Sequence, residues 1–410
     1  MKLLIISDHA LSHSGVATQS KYLIDGLIEK NKNIKIIQLG AGIKHESLET
    51  VKVSDNFYIK PINGFGNKEL LRSILLNEKP DALIIFSDPR FFEWLFKIED
   101  EIRKVCPILW WHVWDNEPYP EFNEWMYNSV DALNCHSYLT YKLCNKNNIS
   151  HAEFIPHALP LNFHYRLNNS IIKKEKERIL SKERSNNFVC LWMNRNCARK
   201  RPGDVLVSWA NFLKKIKKSD RNKVTLLMHT NPEDSAGQNL YSVANNLQIL
   251  DTVAFSTQKL TTEYINILHN ISDVCLNISY NEGFGLTTLE SMQVGTPIIA
   301  AKTGGLYRQV IDFRDSSENG VALEPKTREL AGNQNIPFIY KDYVSVEDAA
   351  HALVKIFKMD KLSYKKISKK VEMYAKECFS YEETINKWYR SINKTIQNHK
   401  NKENLELIEI

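Results

Sequence analysis

The sequence predicts an α/β protein made of two doubly wound, Rossmann-like domains in series, facing a cleft. Short apolar runs alternate with amphipathic stretches from the first residues onward, which is the pattern of parallel strands covered by helices. That alternation lapses once, in a charged stretch before the middle of the chain, and then restarts. The length of 410 residues exceeds what one ordinary core organises and suits two domains of roughly 150 to 200 residues each.

Taken in order, the strand candidates of the first half are 3–6, 34–39, 82–87, 108–111, 132–136 and 154–156. Residues 171–187 (IIKKEKERILSKERSNN) are dominated by Lys, Glu, Arg and Ser and read as a solvated helix or a linker rather than core. Strands resume at 188–193, 224–229, 253–256, 274–278, 297–300 and 321–323. Ser380 and Glu383 have the form of a capping box, and Ile385, Trp388, Tyr389 and Ile392 recur at helical spacing. A final helix with an apolar stripe to bury is therefore expected, packing back towards the first domain. Residues 393–410, rich in Asn, Lys and Glu, read as frayed or loosely docked. The expected division is a first domain over 1–168, a charged linker over 169–187, a second domain over 188–378, and a helix and tail over 379–410.

Apolar residues make up 43% and charged residues 25%, and no apolar run approaches the roughly 20 residues that span a bilayer. The chain opens directly into a strand-like run, with no leader-like segment ahead of it, which points to a cytoplasmic protein. The seven cysteines stand singly without the short spacings of a zinc or redox motif and read as reduced structural residues. A formal net charge of +6 suits anionic ligands but gives no specific nucleic-acid signal. Lys-rich segments at 214–218 and 365–370 leave peripheral contact with a membrane or another anionic polymer open, against the commoner reading of solvated charge.

The chemistry concentrates in residues 273–305 (DVCLNISYNEGFGLTTLESMQVGTPIIAAKTGG), which read as a buried strand, a glycine-bearing turn, a short helix and another strand. Gly283 and Gly285 let the backbone turn tightly and approach a ligand. Thr287 or Thr288 can cap the helix that follows, whose free amides and positive dipole end suit a phosphate. Glu282 and Glu290 flank the turn with seven residues between them. Carboxylates beside a diphosphate would repel it, so they are better explained as acceptors for sugar and ribose hydroxyls. Taken singly, either would be an ordinary turn or helix residue.

Glu282-Gly283-Phe284-Gly285-Leu286, then Leu289-Glu290 and Gly295-Thr296-Pro297, resemble the E-x7-E signature of retaining glycosyltransferases of family 4, which have the two-domain GT-B fold. Upstream, Asn194-Arg195-Asn196 and Arg199-Lys200 follow the first strand of the second domain, where that family places an Arg and a Lys on the donor diphosphate. Arg195 and Lys200 match those positions, while Arg199 and Arg201 stand open between that role and a solvated surface pair. Residues 155–158 (IPHA) resemble the family's Pro-x-Gly segment, with Ala158 in place of glycine, and Ser14-Gly15 resembles its glycine loop with one glycine only. The resemblance is strong over about 188–310.

It implies a retaining transfer from a nucleoside-diphosphate sugar, with UDP or GDP foremost, to an unidentified acceptor held by the first domain. Gly15, Arg195, Lys200, Glu282, Gly283, Phe284, Gly285, Leu286, Thr287 and Glu290 would bind the donor. His112, at the carboxyl end of a first-domain strand where open sheets put their ligands, would contact the sugar or acceptor, and with Glu282 on the sugar hydroxyls and Arg195 and Lys200 on the leaving diphosphate would make up the catalytic set; its bland reading is a histidine packed among Trp110, Trp111 and Trp114. Trp114, Asp115, Glu117, His9, His13 and His157 are further positions of this kind. No Asp-x-Asp pair or cluster of metal ligands occurs, so no metal or other cofactor is called for, and cationic side chains would do a metal's work. The alternatives are a sugar-nucleotide epimerase or phosphorylase of the same fold, or an inactive sugar-nucleotide-binding protein. Residues 328–342 depart from a minimal family pattern, and the oligomeric state is not set by the sequence.

Overall fold

A computed structural model describes residues 1–403, with side chains through residue 400. It divides into two compact units, one comprising 1–158, 332–338 and, among the described residues, 381–403, the other 159–331 and 339–380.

The first unit is built on an eight-stranded sheet of β1 (Lys2–Asp8), β2 (Lys35–Ala41), β3 (Val51–Ser54), β4 (Phe57–Pro61), β5 (Ala82–Phe86), β6 (Ile108–His112), β7 (Ala132–Cys135) and β8 (Ala152–Phe154). The spatial order is β3-β4-β2-β1-β5-β6-β7-β8, parallel except for the antiparallel β3–β4 pair. Strands β3 and β4 were absent from the sequence reading. β3 is mostly exposed and β4 buries only alternate residues, so neither carries the continuous apolar run that marks a strand covered on both faces.

The helix Tyr381–Glu403 belongs to this unit. Its Ile385, Trp388 and Ile392 join the core formed by Leu3, Ile5, Ile84 and Trp111. The Trp388 and Trp111 rings meet edge to face at 4.9 Å, and Ile385 Cδ1 lies 2.5 Å from where a Cβ on Gly26 would stand. Residues 393–403, expected to fray, continue this helix, held by buried Thr395 and by His399 Nε2, 2.6 Å from Arg103 O. The rest of that expectation, residues 404–410, lies outside the described residues.

The second unit has a six-stranded parallel sheet of β9 (Phe188–Met193), β10 (Val224–His229), β11 (Val253–Ser256), β12 (Val274–Asn277), β13 (Ile298–Ala301) and β14 (Gly320–Leu323), in the order β11-β10-β9-β12-β13-β14. This is the doubly wound order, reversing between β9 and β12. Residues 169–187, read as a solvated helix or a linker, do begin with a helix, Asn169–Leu180, but it is docked on the unit's core: Ile172, Ile179 and Leu180 pack on Val189, Leu191 and Leu268. Three apolar residues on one face are enough to dock an otherwise charged helix. The segment 328–342 lies in a two-stranded antiparallel hairpin of β15 (Pro325–Ala331) and β16 (Ile339–Val344). Because β15 is exposed along most of its length, it lacks the alternation that would have announced it.

Candidate functional site

Open α/β sheets bind their ligands outside the carboxyl ends of the strands, at the point where the strand order reverses. In the second unit that point lies between β9 and β12, and the loops leaving these strands bring the candidate residues together. After β9 the chain forms a tight turn at Ala198–Lys200, and Arg201, at φ 52°, precedes the helix Pro202–Lys215. After β12 it runs through Tyr280 and Asn281 to Glu282. The Tyr280 amide donates to Arg199 O at 3.1 Å, joining the two loops.

Lys200 and Glu282, 9% and 8% exposed, form an ion pair through Lys200 Nζ and Glu282 Oε2. Arg199 Nη1 lies 3.2 Å from Glu282 Oε1 and donates to Asn281 O at 3.1 Å. Burial by itself would push the Glu282 carboxyl up, but the charges of Lys200 and Arg199 outweigh it and hold the group at about 2, against an ordinary 4.5. Two cations and one carboxylate leave a local excess of one positive charge, which suits an anionic ligand.

Gly285 is the N-cap of the helix Leu286–Gln293, at φ 92°, a left-handed conformation that favours glycine, and no side chain caps this helix. The expected threonine caps are therefore corrected. Thr288 Oγ1 sits 2.7 Å from Gly285 O and 2.6 Å from Gln309 Oε1, and Thr287 Oγ1 donates to Met193 O at 3.0 Å. Both hydroxyls serve backbone or side-chain oxygens, so the amides of the first helical turn are left to an outside acceptor. The Gly305 amide donates to Glu282 O at 2.8 Å, and a Cβ on Gly305 would stand 2.3 Å from Gly283 O, so the 303–306 turn presses directly on the glycine turn. Phe284 is buried and meets Phe379 edge to face at 5.7 Å.

Glu290 lies on the same helix with different neighbours. Its Oε2 is 3.1 Å from His269 Nε2, whose Nδ1 is 2.7 Å from Ser291 Oγ. Burial pushes the Glu290 carboxyl up, while His269, with His164 and His229 nearby, more than reverses this and leaves it below the usual range. His229, at the carboxyl end of β10, is 2.9 Å from Ser256 Oγ at the end of β11. Asn194 Nδ2 and Thr230 Oγ1, at the ends of β9 and β10, are buried without a hydrogen-bond partner.

Arg195 points elsewhere: its side chain is 68% exposed and pairs with Asp234, Nε to Oδ2 at 3.0 Å. Arg199, half-buried, is the arginine that meets Glu282, and Arg201 is structural, with both terminal nitrogens donating to Val344 O at 3.1 Å. Spacing along an irregular loop cannot say which of several cations faces inward. The three histidines around Glu290 also escaped the sequence reading; of these only His229, ending a strand, carried a positional signal.

In the first unit the order reverses between β1 and β5. Ser14 Oγ caps the helix Gly15–Lys30 by accepting from the Ala17 amide at 3.0 Å and donates to Asp8 Oδ2 at 2.6 Å. Gly15 opens that helix and is exposed. His112 ends β6, fully buried, with Nε2 2.8 Å from Tyr127 Oη and its ring 4.6 Å from Trp110. Burial, with a smaller contribution from His136, lowers its imidazole to about 3, so it stays neutral at physiological pH. His112 Nδ1 is buried without a partner. His157 stacks on His136 at 4.4 Å, His9 lies 5.2 Å from His45, and His13 is exposed. Trp114 Nε1 donates to Pro118 O at 3.1 Å.

Among the described residues no three His, Cys, Asp or Glu side chains gather as metal ligands, and no helix is long and apolar enough to cross a membrane.

Residues 173–333 match the model of the family described as "Glycosyl transferases group 1". A D-inositol 3-phosphate glycosyltransferase of Salinispora arenicola is 32% identical over 112 residues, 27% of this chain and 25% of that protein. A trehalose synthase of Pyrococcus horikoshii is 44% identical over 60 residues, 13% of this chain and 14% of that one. The chain thus aligns with about a quarter of the length of the first of these curated relatives, or less. The whole fold is shared with solved structures. Sucrose-phosphate synthase from Thermosynechococcus elongatus superposes with a TM-score of 0.75 at 14% identity, covering 97% of this chain and all of that one. Anabaena HepE in complex with UDP and glucose gives 0.70 at 14%, covering 96% and 100%. The chain therefore has the two-domain GT-B architecture.

Proposed function

We propose that this chain is a retaining glycosyltransferase of the family 4 type, moving a hexose from a nucleoside-diphosphate donor to a hydroxyl acceptor. The observation that carries the proposal is the buried Lys200–Glu282 pair, joined by half-buried Arg199, beside a helix start at Gly285 that no side chain caps. The family match over 173–333 covers the same segment, and the HepE complex with UDP and glucose favours a UDP-sugar.

The chemistry follows from charge. As the bond between the anomeric carbon and the diphosphate oxygen breaks, negative charge grows on the diphosphate and positive charge on the sugar ring. Lys200, Arg199 and the first-turn amides of the 286–293 helix stabilise the leaving group, each charge-assisted hydrogen bond contributing about 1.5 to 3 kcal/mol. Glu282, ionised at any physiological pH, accepts from sugar hydroxyls, and Glu290 accepts from the ribose. Neutral His112, buried at the end of β6, serves the acceptor, which the first unit holds. Arg195 joins the donor site by exchanging Asp234 for phosphate. Cationic side chains and a helix start do the work that a divalent ion performs in other transferases.

Mass spectrometry of a panel of nucleotide sugars, first alone and then with acceptors, tests the reading. Wild type is expected to release nucleoside diphosphate and transfer sugar, while Lys200→Ala and Glu282→Ala each lose about 100-fold or more in turnover with the fold retained by circular dichroism. Undiminished turnover in both variants rules out the assignment, and isomerised donor in the absence of acceptor identifies an epimerase instead.

A further inference from the structure

The hairpin that interrupts the family pattern is tied to the glycine turn at four points. The Asp342 amide donates to Tyr280 O at 2.7 Å, and Asn281 Nδ2 donates to Tyr340 O at 3.2 Å, so β16 holds the two residues just before Glu282. Thr303 Oγ1 donates to Asp342 Oδ2 at 2.7 Å, and Thr303 starts the turn whose Gly305 amide holds Glu282 O. Arg201, next to Lys200, clasps Val344 O at the end of β16.

Asp342 is the centre of this arrangement. It is 1% exposed, and its other oxygen accepts from Arg328 Nε at 2.6 Å, directly across the hairpin. Arg328 in turn lies over the Tyr340 ring at 5.0 Å. A buried carboxylate is stable only when its charge and lone pairs are satisfied. Thr303, Arg328 and the β16 backbone are therefore locked in one mutual geometry, and Glu282 sits between the two segments so fixed.

We propose that Asp342 is a positioning residue for sugar recognition, and that the β15–β16 hairpin is a brace setting where Glu282 presents its carboxylate. This rests on the proposed donor site and adds to it a residue and an element outside the E-x7-E motif. Arg201 clasps a backbone carbonyl and not the Asp342 carboxylate, so removing the Asp342 charge loosens the Glu282 side while leaving the Lys200 side in place. Sugar binding and diphosphate binding should therefore respond differently.

The test is equilibrium binding of UDP, UDP-glucose, UDP-N-acetylglucosamine, GDP and GDP-mannose to the full chain, as wild type, Asp342→Asn and Thr303→Val. For the nucleotide sugar that wild type binds best, each variant is expected to bind about tenfold more weakly, a loss of roughly 1.4 kcal/mol. Affinity for the matching bare nucleoside diphosphate should stay within about twofold. Thr303→Val is nearly isosteric and leaves Arg328 on Asp342, so it answers the question even if Asp342→Asn folds poorly. Equal weakening of both ligands would show general support of the fold and overturn the inference, as would unchanged binding of both. A wild type that binds no nucleotide sugar overturns the functional reading itself, and this inference with it.

Discussion

Replacing Glu282 by Gln removes one negative charge from between buried Lys200 and half-buried Arg199, and the structure sets the size of the effect. The carboxyl is held at about 2 instead of 4.5, a difference of roughly 2.5 pH units, or about 3 kcal/mol at 1.36 kcal/mol per unit. Because the folded-state value is depressed, this stabilisation is fully present above pH 4.5 and is lost as the pH falls through 2. At pH 7 the Glu282→Gln variant should then melt about 6 to 12 °C below wild type, taking roughly 2 to 4 °C per kcal/mol for a unit of this size. The gap should narrow steadily as the pH falls below 4.5. A diphosphate would supply the counter-charge that the neutral amide side chain lacks, so saturating UDP or GDP should raise the variant's Tm by more than it raises that of wild type. Differential scanning calorimetry from about pH 7 to about pH 3, with and without nucleotide, reads all three. A variant as stable as wild type at neutral pH would refute the electrostatic account. Equal nucleotide shifts in the two proteins would refute the placing of a diphosphate beside Lys200 and Arg199.

Two further outcomes follow from packing. Gly305→Ala would set a methyl carbon 2.3 Å from Gly283 O, a backbone atom that cannot step aside. It should destabilise the chain by about 1 to 3 kcal/mol and weaken nucleotide-sugar binding, whereas Gly64→Ala, with nothing within 4 Å, should leave binding unchanged; titration of both variants with donor checks this. Trp388→Ala removes a fully buried ring that touches Trp111 and should cost about 3 to 5 kcal/mol, measured by urea unfolding, while the nucleoside diphosphate affinity of the folded protein stays at the wild-type value.

Much of this molecule could be read from the order of its residues because the informative features are local. The covered strands announce themselves as continuous apolar runs, so β9 to β14 fell within a residue of their sequence-derived bounds. The turn at 282–286 is marked by glycine, whose conformational freedom belongs to the residue itself, as the φ of 92° at Gly285 shows. Exposed edges left weaker traces. β3, β4 and the β15–β16 hairpin are held by pairing with distant segments and not by a burial pattern of their own, and the charged 169–180 helix docks through only three apolar side chains.

What the sequence determined by itself was the doubly wound architecture, the glycine turn, and the residue types around it: two glutamates and a group of cations. Only the tertiary structure decided which cation meets which carboxylate. Arg195 and Arg199 stand four positions apart in an irregular loop, yet one faces solvent beside Asp234 and the other lies within reach of Glu282. Glu290 likewise gains His269 from a separate helix, and Asp342 gains Thr303 from thirty-nine positions away. The physical reason is the range of the interactions. Backbone preference and hydrophobic periodicity act over a few neighbouring residues, whereas the charge, hydrogen bonding and ionisation of a buried side chain are set by whatever the fold brings within about 4 Å of it.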